Sequence, residues 1–401
     1  MSRALRHRNY RLFFAGQGIS LIGTWLTRVA MSWLVYRLTH SAFLLGVVGF
    51  ASQIPTFILA PVAGVLVDRW SRHRVLVVTQ ALAMVQSALL AGFALSGRIT
   101  VWHVLALGVF QALINAFDTP ARQAFVVEMV ESREDLPNAI ALNSSLVNGA
   151  RLVGPSVAGV LIAAVGEGWC FAADAVSYLA VIGSLLAMRL RVAPARPPRR
   201  HMLVELREGF GYVVSTPTVG PVLLLFAVIS LTGVPYMVLM PIFTGDVLHG
   251  GPHTLGLLTA ATGVGAVSGA LWLASRRGVR GLVPVIIVSG MAFGGSLVAF
   301  GFSPSLLVSL PVLVLVGAGM MIMAAATNTV IQTEVPDDKR GRVMSFYTMA
   351  FFGMMPLGSL AGGVLGARIG APLTVVGGGL ATIAAVLLFT VRTARARRST
   401  G

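Results

Sequence analysis

The sequence predicts an all-helical integral membrane protein, with twelve transmembrane helices in two pseudo-symmetric six-helix bundles. Its composition, the length of its apolar runs and a one-sided distribution of arginine lead to that fold class. Of 401 residues, 56% are hydrophobic and only 11% charged, whereas soluble domains are about a quarter charged. The runs from Phe43 to Val67, Val75 to Leu95, Leu282 to Phe302 and Leu373 to Val391 reach or approach the roughly 20 residues that cross a ~30 Å hydrocarbon layer. Within lipid such runs must be helices, because each backbone N–H and C=O needs a partner inside its own segment.

Apolar runs between charged loops place the spans near residues 12–37, 43–67, 75–95, 101–123, 139–165, 170–189, 219–243, 255–274, 282–302, 306–331, 343–367 and 373–391. Of the 30 Lys and Arg residues, 25 fall on one side of that map. They occupy the N-terminal stub, the 69–74 loop, Arg122, Arg133, the stretch from Arg189 to Arg207, the loops at 276–280 and 339–342, and the tail from Arg392. Arg37, Arg98 and Arg368 fall on the other side, and Arg28 and Arg151 lie within spans. The positive-inside rule then puts both termini in the cytoplasm, in a plasma (inner) membrane of bacterial type. The net charge of +16 therefore follows topology and does not indicate a nucleic-acid partner.

Cys170 is the only cysteine, so no disulfide framework is expected. The map sets it near the outer surface, within reach of an impermeant thiol reagent. The basic start from Arg3 to Arg11 precedes an apolar stretch too long for a signal-peptide core, and reads as a retained first helix. No phosphate-cradling motif, metal-ligating cluster or nucleophile–base pair occurs, so neither an enzyme nor a cofactor or metal is expected.

The longest polar stretch is central and contains Pro194, Pro197 and Pro198. It divides the chain into a first bundle at 1–190, a cytoplasmic linker at 191–218, a second bundle at 219–391 and a basic tail at 392–401. An internal repeat supports two equivalent halves. Gly149 to Gly166 aligns with Gly353 to Gly370 at a constant offset of 204, with seven identities in eighteen positions. These segments are the fifth and eleventh spans, as a parallel repeat requires.

Between the second and third spans stands Gly64-Val-Leu-Val-Asp68-Arg69-Trp-Ser71-Arg72-His-Arg74. A positive-inside loop explains the arginines but not the aspartate beside them. Gly64 suits close helix contact, and Asp68 suits pairing with a cation at a helix end. The segment resembles the cytoplasmic signature of the major facilitator superfamily, with Ser71 where that family usually has glycine. The second-half copy, from Gly269, has Leu273 at the aspartate position. The resemblance implies a cytoplasmic gate of Gly64, Asp68, Arg69, Arg72, Asp118 and Arg122, in which Asp118 pairs with Arg72. Gly149, Gly154, Pro155 and Gly159 in the fifth span are similar to the glycine-proline motif of the exporting, antiporter branch. Trp25 to Ala30, Asn115 to Gln123, Asn138 to Ser144, Ala150 to Pro155 and Arg340 to Ser345 resemble the subfamily containing the enterobactin exporter. That implies a proton-driven exporter of a siderophore or drug-like compound, acting as a monomer among membrane lipids by alternating access.

Ionisable side chains within spans are costly and are functional candidates by default. Arg28, Arg151 and Asp174 meet that description and are the candidates for coupling. Arg28 shares a polar stripe with Gln17, Ser20, Thr24 and Thr27. It matches Asp174 in depth, so the two are expected to interact. Asp174 stands where the resembled subfamily commonly has asparagine. Gln17, Thr24, Gln53, Gln111, Asn115, Asn143, Asn148, Tyr236, Asn328 and Tyr347 are the candidates for contacting substrate, and each serves equally well as interhelical glue. A rival reading is a non-transporting sensor or complex subunit on the same scaffold. Another is an importer or lipid flippase of that fold.

Overall fold

In the computed structural model, residues 3–130, 132–189, 202–216, 218–276 and 281–399 are described. Every regular element among them is helical. Twelve of the helical segments are long and apolar enough to span a membrane. The first span is α1 (Arg8–Thr39), and the second is broken into α2 (Ala42–Ala51) and α3 (Ile54–Arg69). Next come α4 (Arg72–Leu95), α5 (Val101–Met129), α6 (Leu136–Val165) and α7 (Glu167–Leu186). A helix within the central polar stretch, α8 (Met202–Ser215), precedes a seventh span built of α9 (Val219–Thr232), α10 (Tyr236–Ile242) and a π-helical turn, Phe243–Val247. Then follow α11 (Pro252–Ser275), α12 (Leu282–Gly301) and α13 (Leu306–Glu334). The eleventh span joins α14 (Asp337–Thr348) to α15 (Met354–Ile369) through a second π-helical turn, Met349–Gly353, and α16 (Ala371–Ser399) ends the chain. Of the expected linker and loops, residues 190–201, 217 and 277–280 lie outside the described residues.

Local chemistry sets several boundaries. The second span breaks at Ser52 and Gln53, before Pro55, which lacks the N–H that a continuous helix would use. Ser71, where the resembled family has glycine, instead caps α4: its Oγ accepts from the Arg74 N–H at 3.5 Å. Thr100 and His103 close a reciprocal capping box at the start of α5. Large apolar side chains such as Ile58, Val176, Val288 and Leu388 are more than 60% exposed. In water that surface would be unstable; in a membrane it is the lipid-facing side of each helix.

The chain forms two compact units. The first covers residues 1–40, 51–197 and 250–260. Within it α1 packs on α6 and α7, α4 packs on α7, and α5 packs on α3 and α4. Tyr10, Phe13, Leu76, Phe125, Met129 and Leu185 form a buried cluster at one end. The second covers residues 41–50, 198–249 and 261–401. There α12 packs on α13 and α16, and α9 on α15 and α16. The helix α8 is held to α14 by an ion pair between Glu208 and Arg342 and by Lys339 over the Tyr212 ring at 4.8 Å.

The 204-residue repeat is visible inside each unit. In the first, a Cβ at Gly159 would stand 2.7 Å from the Pro252 carbonyl oxygen and 3.1 Å from Gly256 Cα. In the second, a Cβ at its repeat partner Gly363 would stand 2.6 Å from Gly46 Cα. Each glycine thus lets two backbones touch, in the same way. Gly166 and Gly370, another repeat pair, end α6 and α15 with φ of 87° and 85°, a region that side chains strongly disfavour.

Candidate functional site

At the end of the first unit that carries the 69–74 loop, α4 and α5 run antiparallel, and charge pairs follow their depths. Arg72 begins α4 and reaches Glu128, in the last turn of α5, at 2.6 Å. It also reaches Asp68 at 3.4 Å. Asp118 lies ten residues before Glu128, about 15 Å deeper along the helix, so it does not meet Arg72 as expected. Asp118 instead accepts hydrogen bonds from Thr79 Oγ1 at 2.9 Å and Gln80 Nε2 at 2.7 Å. One turn along its own helix, Arg122 completes a short ion pair with it. The sequence reading missed Glu128 because it ended the fourth span at residue 123, and α5 continues to Met129. Gly64 also departs from expectation: a Cβ there would meet nothing within 4 Å, so close packing is not its reason. Arg69 is exposed.

A second constellation joins α1, α4, α6 and α7. Asp174 is 1% exposed. Its Oδ2 accepts from Thr27 Oγ1 at 2.7 Å and from Ser87 Oγ at 2.8 Å, and its Oδ1 from Ser177 Oγ at 3.5 Å. Gly23 makes the room: a Cβ there would lie 2.5 Å from Asp174 Oδ1. Among the described residues Asp174 forms no ion pair, so the expected interaction with Arg28 is electrostatic only, without a direct contact. Hydroxyls have taken its oxygens, while the Arg28 guanidinium lies over the Trp25 ring at 5.3 Å. Arg28 is exposed, yet Arg151 of α6 and Tyr178 and Asp174 of α7 are all within electrostatic range of it. A bare guanidinium facing lipid would be costly, which keeps Arg28 among the functional candidates. Ser87, one of the hydroxyls that bind Asp174, carries no signal of its own in the sequence.

The glycine-proline segment of α6 sits beside this constellation. Gly154 and Pro155 are buried, and a Cβ at Gly154 would lie 2.5 Å from Trp25 Cβ. Gly154 thereby sets the approach of α1 to α6. A Cβ at Gly149 meets nothing within 4 Å.

The remaining polar candidates fall into local pairs. Gln17 is 4% exposed, and among the described residues its Oε1 has no hydrogen-bond partner. Thr24 donates to the Ser20 carbonyl, Gln111 donates to Asn115 at 3.1 Å, and Asn148 donates to the Ser144 carbonyl. Gln53 and Asn143 are half-buried. In the second unit Tyr236 is buried edge-on to Phe293, and Gln332 donates to Asn328 at 2.7 Å. Tyr347 donates to the Ala324 carbonyl and stacks on Phe226, which also stacks on Phe351 in the π-helical turn. That aromatic stack was not read from the sequence, because Phe226 lies 121 residues before Tyr347, on a different helix.

Two further findings were unexpected. Arg37 at the end of α1 forms a two-point ion pair with Glu167 at the start of α7, at 2.8 and 3.1 Å. Cys170 is fully buried, so the expectation of a reagent-accessible thiol does not hold: helix packing covers it. Among the described residues no group of acidic, His or Cys side chains is arranged to hold a metal.

Residues 3–399 match the family model described as transmembrane secretion effector. The chain is 24% identical to a staphyloferrin A transporter of Staphylococcus aureus over 380 residues, covering 94% of this chain and 95% of that protein. It is 27% identical to an enterobactin exporter of Citrobacter koseri over 388 residues, covering 95% and 91%. Among solved structures, a bacterial homologue of the lysosomal transporter Spinster superposes with a TM-score of 0.75 at 14% identity, over 98% of both chains. A bacterial homologue of the iron transporter ferroportin gives 0.71 at 18%, over 96% of this chain and 98% of that one.

Proposed function

Because the chain belongs to the transmembrane secretion effector family of the major facilitator superfamily, and is a bacterial multi-pass transporter and not an enzyme, we propose that it exports a small anionic organic compound of the siderophore type in exchange for protons. One observation carries the choice of an anion. Arg28 is an exposed arginine within a span that forms no ion pair among the described residues, and Arg151 adds a second positive charge near it. Asp174, the carboxylate that acts on it among the described residues, has its Oδ2 engaged by the Thr27 and Ser87 hydroxyls. A carboxylate or catecholate substrate would supply the missing counter-charge by charge-assisted hydrogen bonds. The names of the staphyloferrin A transporter and enterobactin exporter relatives support that class.

In this reading Asp174 is the proton-carrying group, and the protein lies in the inner membrane with both termini cytoplasmic, which the arginine asymmetry supports. The six-helix halves, 1–190 and 219–391, expose the substrate site alternately to each side, and the protein acts as a monomer. Transport into everted membrane vesicles tests the proposal. Uptake of a polycarboxylate or catecholate siderophore, driven by an inside-acid pH gradient and lost in Arg28→Gln, is expected. Equal handling of neutral and cationic compounds, or wild-type transport by Arg28→Gln, would overturn the choice of anion. Accumulation only in right-side-out vesicles would reverse the direction.

A further inference from the structure

A groove of about 640 Å³ opens on the first unit between α3, α4 and α5. It is separate from the Asp174 constellation. At one end stand Arg69, Trp70, Ser71 and Arg74; the rest is lined by Val78, Leu82, Phe110, Leu113 and Phe117. From Ser71 to Leu82 is eleven residues of helix, about 16 Å. That is roughly half the ~30 Å hydrocarbon core, so the groove runs from headgroup level to the midplane, the depth of one leaflet.

Its two ends differ in chemistry as a lipid does. Arg69 and Arg74 are exposed and, among the described residues, neither forms an ion pair, while Asp68 and Glu128 are engaged by Arg72. Trp70 is 52% exposed and stacks on Phe117 at 6.3 Å, which is where an amphipathic indole belongs at a membrane–water interface. Below it, Val78, Leu82 and Leu113 are exposed within the groove at 56%, 40% and 38%.

We propose that this groove binds one anionic phospholipid from the leaflet facing the arginine-rich loops. Arg69 and Arg74 hold its phosphate, and an acyl chain lies along Val78, Leu82 and Phe110. Paired basic residues at a membrane surface attract anionic headgroups, and a single cation-lined mouth above a one-leaflet apolar crevice fits no soluble ion. The occupant would lie against Thr79, whose hydroxyl holds Asp118. The proposal rests on the membrane-spanning fold and not on the substrate.

Native mass spectrometry of the full chain in a neutral detergent tests it. The protein is offered phosphatidylglycerol or phosphatidylcholine with identical acyl chains. Wild type is expected to retain one phosphatidylglycerol and little phosphatidylcholine. Arg69→Gln with Arg74→Gln should lower retention by roughly tenfold, since each arginine near an anionic surface counts for several-fold. Leu82→Trp, which fills the deep end while keeping both arginines, should also lower it. Excess inorganic phosphate should displace nothing. Equal retention of the two lipids, a phosphatidylglycerol preference that survives both variants, or displacement by phosphate would each overturn the proposal.

Discussion

Arg72 of α4 and Glu128 of α5 are joined by a 2.6 Å hydrogen-bonded ion pair, with side chains 10% and 26% exposed. The other partner of Arg72, Asp68, stands at 3.4 Å with its side chain 41% exposed. Charge-assisted hydrogen bonds that are short and sheltered hold about 1.5–3 kcal/mol, and exposed pairs about 0–1 kcal/mol. Glu128→Gln is therefore expected to lower the unfolding temperature of the purified protein clearly more than Asp68→Asn. Equal effects would contradict the assignment of Glu128 as the main partner. If Asp68 belongs to the gate, Asp68→Asn should still depress transport at near-normal stability, which separates a conformational role from a structural one.

Asp174 calls for two substitutions. Asparagine keeps the shape and one carbonyl oxygen, and the hydroxyls of Thr27, Ser87 and Ser177 can turn to accept as well as donate. Asp174→Asn should fold normally, bind substrate and lose the dependence of export on the pH gradient. Asp174→Leu leaves the buried hydroxyls of Thr27 and Ser87 without this acceptor, each costing about 1–3 kcal/mol, while Ser177 keeps the residue-174 carbonyl that it bonds at 2.7 Å. It should fall to low levels in the membrane. Export by Asp174→Asn with wild-type pH dependence would move the coupling group elsewhere, with Asp118 the next carboxylate to test.

Cys170 is covered from all sides. An impermeant thiol reagent applied to intact cells should leave it unmodified, and labelling should appear only on denaturation. Topology needs an introduced probe: Ser96, in the turn between α4 and α5, is exposed and has an ordinary φ of −78°, whereas Gly97 beside it has φ of 69°. Ser96→Cys should be labelled from outside if the arginine-rich loops are cytoplasmic.

The number and order of spans were legible because membrane insertion imposes a length and a composition on each helix, which a single sequence carries openly. The π-helical turns at Phe243 and Met349 were not, since one extra residue in a helical turn leaves no compositional trace. At the candidate site, Arg28, Asp118 and Asp174 stood out because charge within a span is rare. Their partners did not, because Thr79, Gln80 and Ser87 are ordinary polar residues on neighbouring helices. Pairing across helices depends on relative depth: ending the fourth span at 123, six residues short of Met129, hid Glu128, and the resemblance alone assigned Arg72 to Asp118.

The repeat glycines give the sharpest test of packing. At Gly159 an added methyl meets the Pro252 carbonyl oxygen at 2.7 Å, and at Gly363 it meets Gly46 Cα at 2.6 Å. Both obstacles are backbone, which cannot swing aside as a flexible side chain can. Overpacking of this kind costs about 1–3 kcal/mol, so Gly159→Ala and Gly363→Ala should each lower thermal stability, and by similar amounts. Gly149 lies in the same helix as Gly159, with nothing within 4 Å of its Cβ position. There alanine removes the chain-entropy penalty of glycine in a helix, about 0.5–1 kcal/mol, and Gly149→Ala should stabilise. Gly64 is likewise open, and Gly64→Ala should be at least as stable as wild type. If Gly64→Ala also transports normally, the glycine of the cytoplasmic motif has no role in this chain. If transport falls while stability rises, the glycine is there for the backbone freedom that the transport cycle uses, and close packing has no part in it.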